Sequence, residues 1–144
     1  MTGLGTLAST AKRRVGWIIR DRFPFRPVVR HVQGVELVLP WSHRLPDYAV
    51  WQPTYGQNLV ELGRLLATTG PLTVLDIGAN VGDSAVQILN AADGRVLCIE
   101  ADKAYLDFLH RNVDRDPRVT VVEALLTVDG GDGGTTAVRS GGTT

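Results

Sequence analysis

The sequence has one cysteine and no long apolar run, and these two shortages exclude several classes of protein. Cys98 alone cannot form an internal disulfide, which excludes a disulfide-stapled secreted scaffold. No stretch approaches the roughly 18 apolar residues that a membrane-spanning helix needs. Lys12-Arg13-Arg14 precedes an apolar run of only five residues, and no small-residue cleavage site of a signal peptide follows. We therefore expect a cytoplasmic protein, with Cys98 as a small buried residue of a strand.

The chain carries no net charge, yet its charges are unevenly distributed. Residues 1–30 have a net charge of +6 and the remainder −6. A basic arm containing Trp17, Phe23 and Phe25 could bind an anionic surface, such as nucleic acid, membrane headgroups or a phosphorylated substrate. The alternative is an arm lying on the acidic body of its own domain. We favour this alternative, because the aromatic residues lack the spacing of a base-stacking module and give no clear nucleic-acid signal.

The most informative segment is VLDIGANVGD, residues 74–83. Leu72 to Ile77 is a short apolar run of the kind found in parallel strands, which are buried on both faces. Gly78 and Gly82 then allow a sharp turn and leave room for a ligand to approach the backbone. A strand that ends in a glycine turn is typical of a nucleoside-binding site.

A helix is predicted directly after this turn, over Asp83 to Asn90, with Asp83 or Ser84 placed to cap its first turn. The dinucleotide fingerprint G-x-G-x-x-G does not fit here, because Asn80 and Asp83 stand where its second and third glycines would be. A carboxylate at the helix N-terminus also opposes a pyrophosphate. The pattern therefore disfavours a nicotinamide-dependent oxidoreductase and suits a neutral or cationic ligand.

A second acidic strand end follows. Arg95 to Glu100 is an apolar run after the turn signal Asp93-Gly94, and it ends on a carboxylate 22 residues beyond Gly78. A carboxylate at this place can accept hydrogen bonds from both hydroxyls of a ribose. Alone, Glu100 or Asp76 could be a solvated strand end, but the two acidic strand ends and the intervening turn together favour a nucleoside site.

The spacing Asp76-x-Gly78-x-x-x-Gly82 resembles motif I of class I S-adenosylmethionine (SAM)-dependent methyltransferases. Four segments extend the resemblance to the FkbM-type family of these enzymes: HRLPDY at 43–48, YGQNL at 55–59, DIGANVGD at 76–83, and Asn112 after Phe108-Leu109. The resemblance covers roughly residues 35–125. It implies a Rossmann-like α/β fold, SAM as cofactor, and methyl transfer to a hydroxyl of a sugar, a glycolipid or a secondary metabolite. The partner would then be a small-molecule or glycolipid acceptor.

The resemblance also implies a set of cofactor-binding residues. Glu100 would bind the ribose, and Ala101 and Asp102 would lie near the adenine. The full set is Asp76, Gly78, Ala79, Asn80, Gly82, Asp83, Glu100, Ala101 and Asp102. No metal is expected and no catalytic base is identified. His43 has the titration range of a base or substrate contact, but without a visible partner an ordinary loop histidine is the favoured interpretation.

Local patterns predict the remaining elements. They are an antiparallel hairpin within Val28 to Pro40, a loop over Pro40 to Tyr48, a helix over Gln57 to Thr68 with an apolar leucine-rich face, a helix over Lys103 to Val113, and a third strand over Val119 to Leu126. The expected fold is a parallel sheet with helices on both faces, preceded by the hairpin and helix. We divide it into a basic arm (1–34), a partial SAM-binding domain (35–126) and a Gly/Thr-rich tail (127–144).

The pattern departs from a class I methyltransferase after the third strand, where such a domain would continue its sheet. We expect a truncated sheet with an open edge and an exposed apolar surface, which an oligomer or a partner chain could cover. Within the tail, Thr135 to Arg139 has strand character. A second hypothesis is therefore a non-catalytic cofactor-binding remnant that needs a partner chain.

Overall fold

A computed structural model describes residues 22–126. Most of the basic arm, the Gly/Thr-rich tail and the strand-like segment Thr135 to Arg139 lie outside the described residues. Within 22–126, no helix combines the length and the apolar character needed to cross a bilayer. The described part consists of a two-stranded hairpin, four helices and a three-stranded parallel sheet.

The predicted hairpin is confirmed. Strand β1, Pro27–Val32, pairs antiparallel with β2, Val35–Pro40. Gln33 and Gly34 between them have φ values of 49° and 87°. Two consecutive positive φ values are those of a type I′ turn, whose twist matches that of the strands it joins. Residue 34, at which we place the boundary between the basic arm and the cofactor-binding domain, lies in the turn of this hairpin, so β1 and β2 fall on opposite sides of that predicted boundary.

The loop predicted over Pro40 to Tyr48 is wrong in its second half. Helix α1 begins there and spans Leu45–Trp51. Pro46 lies in its first turn, where the missing N–H of proline leaves no helical hydrogen bond unmade. Leu45 is buried in the same core cluster as the hairpin, so this short helix is held by tertiary packing.

Helix α2, Gln57–Ala67, is confirmed, but its predicted buried face is not. Val60 and Gly63 face the protein, and the Cα of Gly63 lies close enough to helix α3 that an added Cβ would be 3.5 Å from Ile88. The leucines that the periodicity assigned to the core are all exposed: Leu59, Leu62, Leu65 and Leu66. The described residues therefore leave most of the apolar face of α2 uncovered.

Three β-α units form the parallel sheet, in the strand order β3-β4-β5. The strands are β3 (Leu72–Ile77), β4 (Gly94–Glu100) and β5 (Val119–Glu123); the connecting helices are α3 (Asp83–Ala91) and α4 (Lys103–Val113). This is the predicted α/β fold class. β5 is three residues shorter than expected, because Ala124 to Leu126 are not part of the strand.

The expectation of helices on both faces of this sheet is wrong for the described residues. One face carries Val96 and Cys98, which pack in a core cluster with residues of α3 and α4. On the opposite face, Leu75 and Ile77 are 56% and 59% exposed. The outer edge of β3 also has no strand partner among residues 22–126. The open edge and the exposed apolar surface expected for a partial sheet are both observed.

Candidate functional site

The glycine turn is attached to the neighbouring strand. Ile77 pairs with Ile99 at the carboxyl ends of β3 and β4. The backbone N–H groups of Gly78 and Ala79 both donate to the carbonyl oxygen of Ile99, at 2.9 and 3.0 Å. The N–H of Gly82 then donates to Ala79 O at 2.7 Å and closes the turn. The turn therefore lies directly above the carboxyl edge of the sheet, where open α/β sheets bind ligands.

The two glycines of the turn have different surroundings. Both have positive φ, 74° at Gly78 and 80° at Gly82, as the sequence predicts for a sharp turn. A Cβ on Gly78 would have nothing within 4 Å, whereas a Cβ on Gly82 would lie 2.7 Å from Leu109 and 3.1 Å from Val113. Room for a ligand therefore exists at Gly78, while the space at Gly82 is filled by helix α4.

Asn80 is held from two directions. Its φ of 52° is in the left-handed region, which asparagine tolerates better than most residues. Its backbone N–H donates to Oε2 of Glu100 at 2.7 Å. Its side-chain Oδ1 lies 2.9 Å from Nε2 of His43. The favoured interpretation of His43 as an ordinary loop residue missed this contact, because the two residues are 37 positions apart.

The carboxylate of Glu100 is buried and accepts three backbone hydrogen bonds. It is 3% exposed, and besides Asn80 it accepts the N–H groups of Ala101 at 2.9 Å and Asp102 at 2.7 Å. Charge-assisted bonds of this kind are stronger than neutral ones and fix both the turn and the start of the next loop. A carboxylate has about four acceptor positions. Ribose binding by Glu100 therefore stays a prediction that its present contacts allow.

Asp102 has a local structural role. Its side chain accepts the backbone N–H of Ala104 at 3.0 Å and caps the N-terminus of α4. The caps predicted for α3 are not observed, since Gly82 occupies the cap position and Asp83 is the first helical residue. The adenine contacts of Ala101 and Asp102 remain predictions.

Three carboxylates surround the turn and make it strongly acidic. The pKa of Asp76 is raised to about 6, mainly by burial and in addition by the negative charges of Asp83 and Glu100. Burial also raises the pKa of Asp83, opposed by hydrogen bonds from the backbone N–H groups of Asp83 and Ser84. Oδ2 of Asp76 is buried without a hydrogen-bond partner among the described residues. A cationic ligand would relieve this crowding of negative charge, whereas a pyrophosphate would increase it.

Cys98 is buried, as predicted, and its thiol is protonated. Burial and the nearby charge of Asp76 raise its pKa to about 12. Because the thiolate is the nucleophilic form, this side chain is unsuited to covalent catalysis at neutral pH. Within residues 22–126, no group of three or more His, Cys, Asp or Glu side chains is arranged to hold a metal ion.

Asn112 connects the hairpin, the turn and α4. Its Oδ1 accepts the N–H of Val38 at 2.7 Å, and its Nδ2 donates to the carbonyl oxygens of Val38 at 3.0 Å and Val81 at 2.7 Å. The sequence includes Asn112 in the resemblance but gives it no role, because its partners are 74 and 31 residues away along the chain.

A cavity reaches the end of the turn at Asp83, and an open groove adjoins the cavity. The cavity, of about 390 Å³, is lined by Gln33, Tyr55, Gly56, Asn58, Leu59, Val60, Asp83, Ser84, Gln87 and Ile88. The groove, of about 890 Å³, is lined by Trp51, Gln52, Pro53, Thr54, Tyr55, Gly56, Gln57, Asn58 and Glu61. Tyr55, Gly56 and Asn58 line both, so the groove leads to the cavity, and the cavity reaches Asp83 at the turn.

No family model matches the chain, and no curated protein sequence matches it. Solved structures that resemble it include an O-methyltransferase from Bacillus cereus in complex with SAH, with 28% identity over 51% of this chain and a TM-score of 0.45. Another is a precorrin-6y C5,15-methyltransferase from Geobacter metallireducens, with 28% identity over 42% of this chain and a TM-score of 0.35. A third is the N-terminal domain of EvdMO1 with SAH bound, with 15% identity over 78% of this chain and a TM-score of 0.44.

The chain covers 34%, 36% and 45% of these three structures, respectively. It therefore spans less than half of each of them. All three TM-scores lie below 0.5.

Proposed function

We propose that this chain is the cofactor-binding part of a SAM-dependent methyltransferase of the FkbM type. The observation that carries the proposal is a glycine turn with open space at Gly78, surrounded by the carboxylates of Asp76, Asp83 and Glu100. SAM combines a nucleoside with a sulfonium, an ammonium and a carboxylate group, and its net charge is positive. An acidic turn between two acid-tipped parallel strands suits that combination better than it suits a dinucleotide.

The residues present fit such a cofactor. Oδ2 of Asp76, which has no hydrogen-bond partner within residues 22–126, and the carboxylate of Asp83 would face its ammonium and sulfonium groups, and Glu100 would accept its ribose hydroxyls. The cavity beside Asp83 provides space lined by both apolar and uncharged polar groups. Bound SAM would supply an activated methyl group. The work of the chain would be to bind and orient it, since methyl transfer depends mainly on alignment of the reacting groups.

We further propose a hydroxyl-bearing acceptor, such as a sugar, a glycolipid or a secondary metabolite. The groove supports this class, because it offers exposed aromatic side chains of Trp51 and Tyr55 beside the neutral amides of Gln52, Gln57 and Asn58. Sugar rings stack their apolar C–H faces on aromatic rings, and their hydroxyls exchange hydrogen bonds with amides. Glu61 is the one charged residue of this lining.

A second candidate is a cofactor-binding chain that requires a partner or a second copy for activity. It is favoured by the exposed sheet face at Leu75 and Ile77 and by the edge of β3, which has no strand partner within residues 22–126. Exposed apolar surface of this kind commonly marks an interface. This candidate shares the cofactor site, so it differs from the first only in whether the chain acts alone.

The test is calorimetric titration with SAM and S-adenosylhomocysteine (SAH), with NAD as a control ligand. We expect saturable binding of SAM and SAH and none of NAD. Glu100→Gln removes the charge at the ribose position and should weaken SAH binding by about tenfold, the effect of one charge-assisted hydrogen bond.

Glu123→Gln is the matched control, because Glu123 occupies the equivalent end of β5 in register with Glu100 but is exposed. It should leave binding unchanged. A folded chain that binds neither SAM nor SAH would contradict the proposal, and NAD binding at the same site would replace it.

For the acceptor, labelled methyl transfer to a panel of hydroxylated compounds should show activity with sugars or glycolipids. Trp51→Ala should then raise KM for the acceptor while SAH affinity stays unchanged. Equal loss of SAH affinity would place Trp51 at the cofactor instead. Activity that appears only with a second protein would favour the partner-dependent candidate.

A further inference from the structure

We infer that His43 is a positioning residue, which fixes the side-chain amide of Asn80 and thereby couples the segment after the hairpin to the cofactor turn. The inference rests on the proposed function for its ligand, SAH. It rests on the geometry alone for the contact between the two side chains, whose Nε2 and Oδ1 atoms lie 2.9 Å apart.

The hydrogen bonds of the ring determine its tautomer. The backbone N–H of Leu45, at the start of α1, donates to Nδ1 of His43 at 3.2 Å. Because a backbone N–H can only donate, Nδ1 carries no proton, and the proton of the neutral ring is on Nε2. Nε2–H therefore donates to Asn80, and the amide must present Oδ1 to the ring. One histidine thus assigns the orientation of the amide in the turn.

The ring itself is held in place by two elements of the core. The backbone N–H of His43 donates to the carbonyl oxygen of Pro40, the last residue of β2, at 2.9 Å. The ring packs edge-to-face on Tyr105 of α4, with centroids 6.2 Å apart and planes at 83°. Tyr105 is 2% exposed. His43 is therefore anchored before it contacts Asn80, as a residue that positions another must be.

Asn80 lies in the middle of the proposed cofactor turn, so fixing its conformation fixes the shape of the turn that would contact the ligand. It has a left-handed backbone midway between Gly78 and Gly82, and its N–H is bound to Glu100. The hydrogen bond from the His43 side chain is a second restraint on this left-handed backbone conformation, which residues other than glycine rarely adopt. A turn held ready in its binding conformation does not lose ordering entropy when the ligand arrives.

Two substitutions at position 43 separate positioning from a purely structural role. His43→Gln keeps a donor near the position of Nε2 and removes the acceptor that Leu45 uses. His43→Asn keeps an acceptor near the position of Nδ1 and removes the donor that reaches Asn80.

Both variants lose the ring contact with Tyr105, so each should melt below the wild type, and the loss should be smaller for His43→Asn, which keeps the acceptor for Leu45. His43→Asn should bind SAH about tenfold more weakly. His43→Gln should melt at a lower temperature and keep SAH affinity within about threefold of the wild type. If both variants lose affinity in proportion to stability, or if His43→Asn binds SAH normally, the positioning role is wrong.

A ligand-free measurement judges the contact separately from the proposed function. Nitrogen NMR of the full chain should show His43 protonated on Nε2, and the Asn80 side-chain resonances should shift in His43→Asn and stay near wild type in His43→Gln. If the wild type binds no SAH, the proposed function fails while these spectra still decide the contact. Protonation of His43 on Nδ1 in the neutral ring would overturn the inference whatever the titrations show.

Discussion

The two glycines at the ends of the turn have similar backbone conformations but different surroundings. Gly78 and Gly82 share a positive φ of similar size. Nothing lies within 4 Å of a Cβ built on Gly78, whereas Leu109 would be 2.7 Å from one built on Gly82. The same residue type is thus required at one end for close packing on α4 and leaves open space at the other. A motif with two glycines therefore contains one packing position and one candidate binding position.

The surroundings of the two ends follow the same division. Apolar side chains of α4 lie at the Gly82 end. Asn112 is also there, and its side chain forms hydrogen bonds to Val81 and to Val38 of the hairpin. At the Gly78 end lies Asp76, a buried carboxylate with a raised pKa. The first set stabilises the fold, while the second costs stability and is suited to a cationic ligand.

The largest expected effect is that of Gly82→Ala. The added methyl group would collide with Leu109 and sit on a residue with φ of 80°. Overpacking and left-handed strain together should lower the free energy of unfolding by about 3 kcal/mol, measured by urea denaturation.

Gly34→Ala is the control for strain alone, since Gly34 has φ of 87° and nothing within 4 Å of an added Cβ. It should cost about 1 kcal/mol. Equal losses at the two positions would show that packing on α4 is not what Gly82 provides.

Asn112→Ala tests the hydrogen bonds of Asn112 near Gly82 and should have the next largest effect on stability. It leaves the backbone N–H and C=O of Val38 and the C=O of Val81 without their partner. Loss of these hydrogen bonds at partly buried groups should lower the free energy of unfolding by about 2 kcal/mol. Asn90→Ala, an exposed asparagine of α3, should change it by less than about 0.5 kcal/mol. A similar loss of stability in both variants would show that the hydrogen bonds of Asn112 do not stabilise the fold.

The local parts of this architecture could be predicted from the sequence, and the long-range parts could not. β3 and α4 have the predicted bounds, because an apolar run before glycine and the helical spacing of apolar residues are signals contained within a short segment. α1 was missed because prolines indicated a loop, although Pro46 is compatible with a first helical turn. Local sequence therefore determined where most elements lie.

Which surface each element buries was less predictable. The periodicity of α2 marks an apolar face but not its partner, and Leu65 is exposed among the described residues. The contacts of His43 and Asn112 in the site join residues far apart in sequence. Their partners are set by how the hairpin packs on α4, which no local pattern encodes.

Asp76→Asn tests the cost of the carboxylate at the binding end. A folded pKa of about 6, above the ordinary value of 3.8, means that the folded state binds the proton more tightly. The contribution of Asp76 to stability is therefore complete below pH 3.8 and is lost as the pH rises through about 6.

At pH 7, Asp76→Asn should be more stable than the wild type by roughly 1 to 2 kcal/mol, since partial solvent access reduces the full effect of the shift. The difference should disappear near pH 4. The same substitution should weaken SAM binding at pH 7, because it removes a negative charge from a site that would hold the positively charged cofactor. A variant that is less stable at pH 7 would contradict this assignment.

Gly78→Ala should have the smallest effect on stability, so its effect on ligand binding is the easiest to separate from unfolding. Its methyl group would meet no atom, so only the left-handed φ of 74° opposes it, at about 1 kcal/mol. The same methyl group would occupy the space in which we place the ligand, so SAH affinity should fall by about tenfold or more, which is beyond what that strain explains. Calorimetry on Gly78→Ala and Gly34→Ala, two variants with the same strain, separates the effects. If both bind SAH equally, Gly78 does not face the cofactor and the two ends of the turn differ in packing alone.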